Sequence, residues 1–221
     1  CRAAGIPIAG GHTIDSVEPI YGLVVMGLVD PAHVKRNAEA RAGDVLVLGK
    51  PLGVGVLSAA LKKEKLSLAG YRQLIENTTR LNTPGIALAT MPGVHALTDV
   101  TGFGLAGHAL ELARGAKLTA TIDWPRVPLL DGVAAMAADG FVTGASGRNW
   151  AGYGAEIELA KGLPAMAQAL LSDPQTSGGL LVSCAADSAE AVLQVFRREG
   201  FADAAVVGRM EQGPARLRVL A

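Results

Sequence analysis

Three closely spaced glycines and one carboxylate mark the segment best suited to chemistry. Asp99 closes an apolar run, and Gly102, Gly104 and Gly107 follow it where a helical pattern opens. A strand, a glycine turn and a helix N-terminus together present backbone N–H groups to an anion. A carboxylate beside a phosphate repels it unless a divalent cation lies between them, and Mg²⁺ is commonly held by one or two carboxylates plus phosphate oxygens. The segment therefore predicts a contact with a metal and a polyphosphate, with Asp99 as the metal ligand.

The same glycines also fit a dinucleotide-binding turn. Gly-x-Gly-x-x-Gly after a strand is a fingerprint of NAD-binding proteins, and Asp123 ends the next apolar run, where an acid would bind the ribose. Against this reading, residues 99–101 separate the strand from the first glycine, and an acid there would face the pyrophosphate. An NAD-dependent oxidoreductase is the alternative. A purely structural alternative is that the glycines only permit a tight turn and close helix packing.

Composition excludes several other classes. The 221 residues carry 20 basic and 20 acidic side chains, a balance that argues against binding to nucleic acid or to an anionic membrane. No apolar stretch is long enough to span a bilayer. The only cysteines are Cys1 and Cys184, too few for a disulfide framework, which predicts a cytoplasmic location. No base near Cys1 supports a role as a nucleophile.

Apolar runs that alternate with helical patterns predict an α/β or α+β fold with a mixed sheet and flanking helices. The expected strands are 21–29, 44–48, 94–99, 117–124, 180–183 and a terminal pair, 204–209 with 215–220. The expected helices are 54–63, 71–81, 84–92, 105–113, 130–138, 164–171 and 187–199. The glycine-rich residues 140–154 predict a long ordered loop. The polar residues 30–43 predict the main domain boundary.

A second candidate binding segment is Gly11-His12-Thr13, which offers backbone donors, an imidazole and a hydroxyl at a turn. A phosphate contact and a simple strand cap fit it equally well. The four histidines show no metal-ligand spacing.

Four other polar residues have structural roles as their first interpretation. His108 is expected on a helix surface, and Lys50 is expected in solvent at a turn, with a phosphate contact as its alternative. Asp173 and Thr176 are expected to cap the helix or strand that they border.

Four stretches in register, 10–23, 50–56, 98–108 and 173–181, closely resemble the selenophosphate synthetase (selenide, water dikinase) family of the aminoimidazole ribonucleotide synthetase-like superfamily. The resemblance covers essentially the whole chain and favours Mg–ATP over NAD. It implies synthesis of selenophosphate from selenide, ATP and water, with release of AMP and phosphate.

The resemblance also implies roles for individual residues. Asp99 matches an Mg²⁺-binding aspartate, and Gly11, His12 and Thr13 match a stretch that reaches ATP in the partner subunit of a homodimer. The family's catalytic Cys or selenocysteine, its catalytic Lys and its other Mg²⁺ ligands match nothing here, because they would precede residue 1.

Two domains follow from the resemblance: 1–41 as the end of an N-terminal ATP-binding domain and 42–221 as a C-terminal α/β domain. A piece of this kind is expected to be folded, inactive alone and self-associating. A non-catalytic dimerisation module is the non-enzymatic alternative.

Overall fold

The computed structural model describes all 221 residues and divides them into two compact units, Cys1–Val34 and Lys35–Ala221. The second unit contains the regular strands and α-helices. Its strands are β1 Val45–Leu48, β2 Val94–Asp99, β3 Thr119–Asp123, β4 Ile157–Leu159, β5 Leu180–Cys184, β6 Ala205–Glu211 and β7 Arg216–Leu220. Its α-helices are α1 Val54–Lys62, α2 Leu68–Thr79, α3 Pro84–Ala89, α4 Gly104–Ala116, α5 Val133–Ala138, α6 Gly144–Tyr153, α7 Ala167–Leu171 and α8 Ala189–Arg198. No helix reaches the length and hydrophobicity that a bilayer crossing requires.

The seven strands form one mixed sheet in the order β2-β5-β1-β6-β3-β7-β4. Strands β5 and β6 run antiparallel to their neighbours, whereas β3, β7 and β4 are parallel to one another. Helices cover the sheet, so the predicted α/β class with a mixed sheet is confirmed.

The expected pairing of the last two strands is wrong, because β3 lies between β6 and β7. The connection between them crosses the start of β3, where Thr119 Oγ1 donates to the carbonyl oxygen of Pro214 at 2.8 Å. Gly213, with φ 158°, allows the backbone to pass this close: a Cβ there would lie 2.4 Å from Thr119 Oγ1. The four-residue turn thus steps over one strand.

The sheet order also contradicts the dinucleotide-binding alternative. That fold binds its cofactor across successive parallel strands that lie side by side. Here β5, β1 and β6 separate β2 from β3, so Asp123 lies about 19 Å from the end of β2 at the usual strand spacing.

The core lies on both faces of the sheet. On one face α4 buries Leu105 and Leu112 over β2 and β3, and on the other α8 buries Phe196 over Val47 and its neighbours. A third cluster joins α1, α2 and α5. The buried β1 strand carries helices on both faces, which explains its unbroken apolar run.

The expected strand 21–29 is absent. This segment has no regular secondary structure and its large apolar side chains are exposed, with Leu28 at 106% of its reference area. A strand exists only where a neighbour completes its backbone hydrogen bonds, and the backbone bonds of Cys1–Val34 join only residues 1–6 and 30–33. The apolar pattern therefore has no partner in this unit.

The expected loop 140–154 is also wrong, because most of it forms α6. Thr143 Oγ1 accepts a hydrogen bond from Ser146 N at 3.1 Å and caps the helix. Ser146 and Tyr153 are buried. Packing of this face outweighs the poor helix propensity of the glycines.

Candidate functional site

Asp99 lies where sequence analysis expects it, at the carboxyl end of edge strand β2. It pairs with Leu180 of β5, and its side chain is exposed. The only side-chain hydrogen bond at this residue is accepted by its backbone oxygen, from Thr98 Oγ1 at 3.3 Å. The carboxylate is thus free to bind a cation from solvent.

The backbone that follows Asp99 is clamped by the turn 173–179. Val100 N donates to the carbonyl oxygen of Gly179 at 2.9 Å, and Gln175 N donates to that of Thr101 at 3.0 Å. A Cβ on Gly178 would lie 2.0 Å from the carbonyl oxygen of Val100, so only glycine permits this approach. Two of the four resembling stretches therefore form one contact that fixes the start of the candidate metal loop.

His108 holds the same loop from inside α4. Its side chain is buried, and Nε2 accepts a hydrogen bond from Thr101 N at 3.0 Å. Nδ1 is 2.9 Å from Glu111 Oε2, so the hydrogen bonds assign the ring proton to Nδ1. The expected position on the helix surface is wrong: a seven-residue separation returns the loop backbone onto the ring.

Two residues of α6 complete the support, and sequence analysis missed both. Asn149 Nδ2 donates to the carbonyl oxygens of Gly102 at 2.7 Å and Ser172 at 3.0 Å. Tyr153 Oη donates to that of Phe103 at 2.6 Å. Burial raises the pKa of Tyr153 to about 12, so the phenol stays a neutral donor.

A helical signal was present in this stretch. Ser146, Asn149, Trp150 and Tyr153 follow the i, i+3, i+4, i+7 spacing of one helix face.

The first turn of α1 offers no free anion site. Asp173 Oδ2 accepts from Gly55 N at 2.9 Å, and Gln175 Oε1 accepts from Gly53 N at 3.2 Å and Val54 N at 3.3 Å. The carboxylate and amide occupy the place that a phosphate would take. The expectation that Asp173 and Thr176 cap the element they border is wrong: Asp173 caps α1, a helix distant in sequence, and the exposed Thr176 side chain makes no capping hydrogen bond.

Lys50 is not the solvated side chain that sequence analysis expects. It is 2% exposed, and its Nζ donates to the carbonyl oxygens of Asn77 at 3.1 Å, Arg80 at 2.7 Å and Ser177 at 2.7 Å. All three N–H bonds of the ammonium are used, so the phosphate alternative fails as well.

Asp173 makes the stability of the fold depend on pH. Burial raises its pKa from 3.8 to about 6, against hydrogen bonds from Gln175 and Gly55 that favour the carboxylate. The folded state therefore binds more protons than the unfolded chain between about pH 4 and 6. This residue's contribution to the free energy of unfolding falls as pH rises through that window, by about 3 kcal/mol.

We expect Asp173→Asn to remove this dependence, because the amide oxygen still accepts from Gly55 while the buried charge is gone. Urea unfolding at several pH values from 4 to 7 measures the effect as the difference between parent and variant. Asp139→Asn, at an exposed position, is the matched control and should leave the pH profile unchanged. Parallel profiles for the parent and Asp173→Asn would contradict the raised pKa.

The first unit holds the other candidate residues. Gly11, His12 and Thr13 are exposed and lie outside regular secondary structure, so their polar groups are accessible to a ligand. Across the chain, no group of three or more His, Cys, Asp or Glu side chains is arranged to hold a metal ion. Asp99 could serve only as one ligand of a shared site.

Residues 41–219 match the model of the AIR synthase related protein family, C-terminal domain. The chain is 67% identical to selenide, water dikinase of Burkholderia ambifaria (strain MC40-6) and 65% identical to that of Pseudomonas straminea, in each case over 99% of its length. It spans 62% and 61% of the length of these two curated relatives.

Two solved structures share the fold at lower identity. The hydrogenase maturation protein HypE of E. coli aligns with a TM-score of 0.62 at 21% identity, over 85% of this chain and 50% of its own. Thiamine-monophosphate kinase from Stenotrophomonas maltophilia K279a aligns with a TM-score of 0.60 at 19% identity, over 86% and 54%. The match to the family model covers more than half of the chain and shows that the chain belongs to the AIR synthase related protein family, with residues 41–219 as the C-terminal domain.

Proposed function

We propose that this chain is part of an ATP- and Mg²⁺-dependent selenide, water dikinase, which makes selenophosphate from selenide, ATP and water and releases AMP and phosphate. The observation that carries the proposal is the identity of 65–67% to relatives of that name across 99% of the chain. Because the chain spans only part of those relatives, the activity is proposed for a protein that contains it. The two cysteines in 221 residues support a cytoplasmic location.

Asp99 is the residue of this chain proposed to hold Mg²⁺. The fit is chemical: the carboxylate is exposed at an open strand end, and Mg²⁺ is usually bound by one or two carboxylates together with water and phosphate oxygens. Bound there, Mg²⁺ would neutralise charge on the phosphate oxygens during transfer. The remaining ligands would come from outside this chain.

Hydrogen bonds to the two residues after Asp99 fix the backbone next to this carboxylate. Phosphoryl transfer depends on positioning more than on covalent chemistry by the protein. The hydrogen bonds from Val100 and Gln175 and the one accepted by His108 hold the two residues after Asp99 from both sides. Such rigidity supports a metal-ligand role better than a flexible turn would.

Gly11, His12 and Thr13 are proposed to contact ATP in the partner subunit of a homodimer. Their exposure supports the assignment, since the ligand would approach from another chain. We also propose residues 1–41 as the end of an ATP-binding domain and 42–221 as the C-terminal domain. The family match that starts at residue 41 supports this division.

The test needs a complete enzyme. We define the joined protein as this chain fused to the part of the Burkholderia ambifaria relative that it does not match. We expect the joined protein to form AMP from Mg–ATP only when selenide is present. A folded joined protein without selenide-dependent AMP would contradict the proposal and favour the non-catalytic module.

A further inference from the structure

Lys50 is a buried cation for which the proposed function gives no role. It follows β1, and its ammonium donates to three carbonyl oxygens, those of Asn77, Arg80 and Ser177. Each of its N–H bonds is satisfied, so the group is neither a base nor a nucleophile in this state. Its contacts instead make it a link between separate elements.

The link joins the end of α2 to the turn 173–179. Asn77 and Arg80 lie in the last turn of α2 and just after it, where carbonyl groups lack helical partners and carry partial negative charge. Ser177 lies in the turn, in a left-handed conformation with φ 51°. A left-handed serine is an uncommon conformation, and the ammonium bond to its carbonyl oxygen helps to stabilise it.

The same turn fixes the backbone next to Asp99. Gly178 packs against the carbonyl oxygen of Val100, and Gly179 accepts a hydrogen bond from Val100 N at 2.9 Å. Gly179 is also close to Lys50, because a Cβ on Gly179 would lie 2.3 Å from Lys50 N. One continuous set of contacts therefore runs from the Lys50 ammonium through this turn to the residue that follows Asp99.

We propose that Lys50 is a positioning residue, which sets the Asp99 carboxylate for its metal by fixing the turn 173–179. The inference rests on the proposed function, since it requires that Asp99 binds Mg²⁺. Lys50 Nζ donates only to backbone carbonyl oxygens, so it would act through the turn and not as a ligand. Its contribution would be the placement of one ligand.

The charge state of Lys50 agrees with this role. Burial, followed by the charge of Arg80, lowers its pKa from 10.5 to about 8. The ammonium form dominates at pH 7 and declines above pH 8. The charged groups around it are Arg80, Glu76 and Asp203, which line the adjacent cavity.

The test is the Mg²⁺ dependence of the joined protein carrying Lys50→Met, which keeps the chain length and removes the donors. We expect an apparent Mg²⁺ affinity about 10- to 100-fold weaker, as for other residues that orient metal ligands. Turnover at saturating Mg²⁺ should stay near that of the parent, and amide exchange at Val100 and Gln175 should accelerate. In the parent, Mg²⁺ affinity should fall above pH 8 as Lys50 loses its proton. In Lys50→Met this fall should be smaller.

Lys35→Met is the matched control, because Lys35 Nζ donates to the carbonyl oxygen of Met91 at 3.4 Å near the opposite end of β2. It should change none of these measurements. A folded Lys50→Met protein with parental Mg²⁺ affinity would overturn the proposal. If Lys50→Met does not fold, Asn82→Ala replaces it, since Asn82 Nδ2 donates to the carbonyl oxygen of Gly178 at 2.8 Å on the same turn. The criteria of Mg²⁺ affinity and amide exchange then apply, and the pH dependence should stay parental because Lys50 is retained.

Asp99→Asn in the same assay separates the two levels of inference. A lower apparent Mg²⁺ affinity in Asp99→Asn, with parental affinity in Lys50→Met, would reject only the positioning role. Unchanged Mg²⁺ dependence in Asp99→Asn would reject the metal role on which both inferences rest.

Discussion

Replacing Asp99 by Asn in the joined protein should lower selenide-dependent AMP formation by about 100- to 1,000-fold, or roughly 3–4 kcal/mol of transition-state stabilisation. The amide keeps the shape of the side chain but removes the negative charge that would hold Mg²⁺. Because the side chain is exposed, the free energy of unfolding should be unchanged within about 0.5 kcal/mol. Steady-state rates over an Mg²⁺ series, together with urea unfolding, measure both quantities.

Asp123→Asn is the control for this experiment. Asp123 also ends a strand, and its carboxylate is partly exposed, 3.7 Å from Arg209 Nη1. It is the acid that a dinucleotide site would need, so its loss should matter only if the chain bound NAD at the glycine turn. We expect parental activity from Asp123→Asn, and near-normal turnover of Asp99→Asn at limiting Mg²⁺ would exclude the ligand role.

Local sequence patterns predict those parts of the fold that depend on neighbours along the chain. The apolar run before Asp99 and the glycines after it predict β2, the turn and α4 in their observed order. The place of Asp99 follows from that local pattern, since a polar residue after a buried run marks the end of a strand. Strand β1 and helix α1 are predicted to within one residue for the same reason.

Residues whose environment depends on distant partners are not predicted. Lys50 Nζ donates to the carbonyl oxygen of Ser177, which is 127 positions away in sequence. The residues next to Lys50 in sequence therefore do not indicate this partner. His108 is similar, because its burial depends on how the loop returns over α4. In both cases the hydrogen-bond partners decide whether a polar side chain is buried.

The two wrong element predictions have opposite causes. Residues 21–29 have the composition of a strand, but no neighbouring strand in their unit completes the hydrogen bonds. Residues 144–153 have the composition of a loop, but a capped first turn and contacts from Asn149 and Tyr153 make them a helix. Propensity was outweighed by the absence of tertiary contacts in one case and by their presence in the other.

The second large expected effect concerns the stability of the fold, and it arises from the packing of Gly104, one of the three glycines in the apparent nucleotide fingerprint. Gly104 has φ 71°, and a Cβ there would lie 2.7 Å from the carbonyl oxygen of Leu171 and 2.8 Å from the carbonyl carbon of Ser172. The left-handed conformation costs a non-glycine residue roughly 1–2 kcal/mol, and overpacking against fixed backbone costs about 1–3 kcal/mol more. We therefore expect Gly104→Ala to lower the free energy of unfolding by about 2–5 kcal/mol.

Gly102→Ala is the matched control, two residues away in the same turn. Its Cβ would meet nothing within 4 Å, and Gly102 is not among the residues with positive φ. Alanine there should leave stability nearly unchanged. Urea unfolding of the 221-residue chain compares the two variants without substrate or metal, so the result is independent of the proposed activity.

Equal stability for both variants would show that the approach of α4 to residues 171–173 does not require glycine. A large loss confined to Gly104→Ala would mean that this glycine is needed for contact between α4 and the turn that also fixes the Asp99 loop.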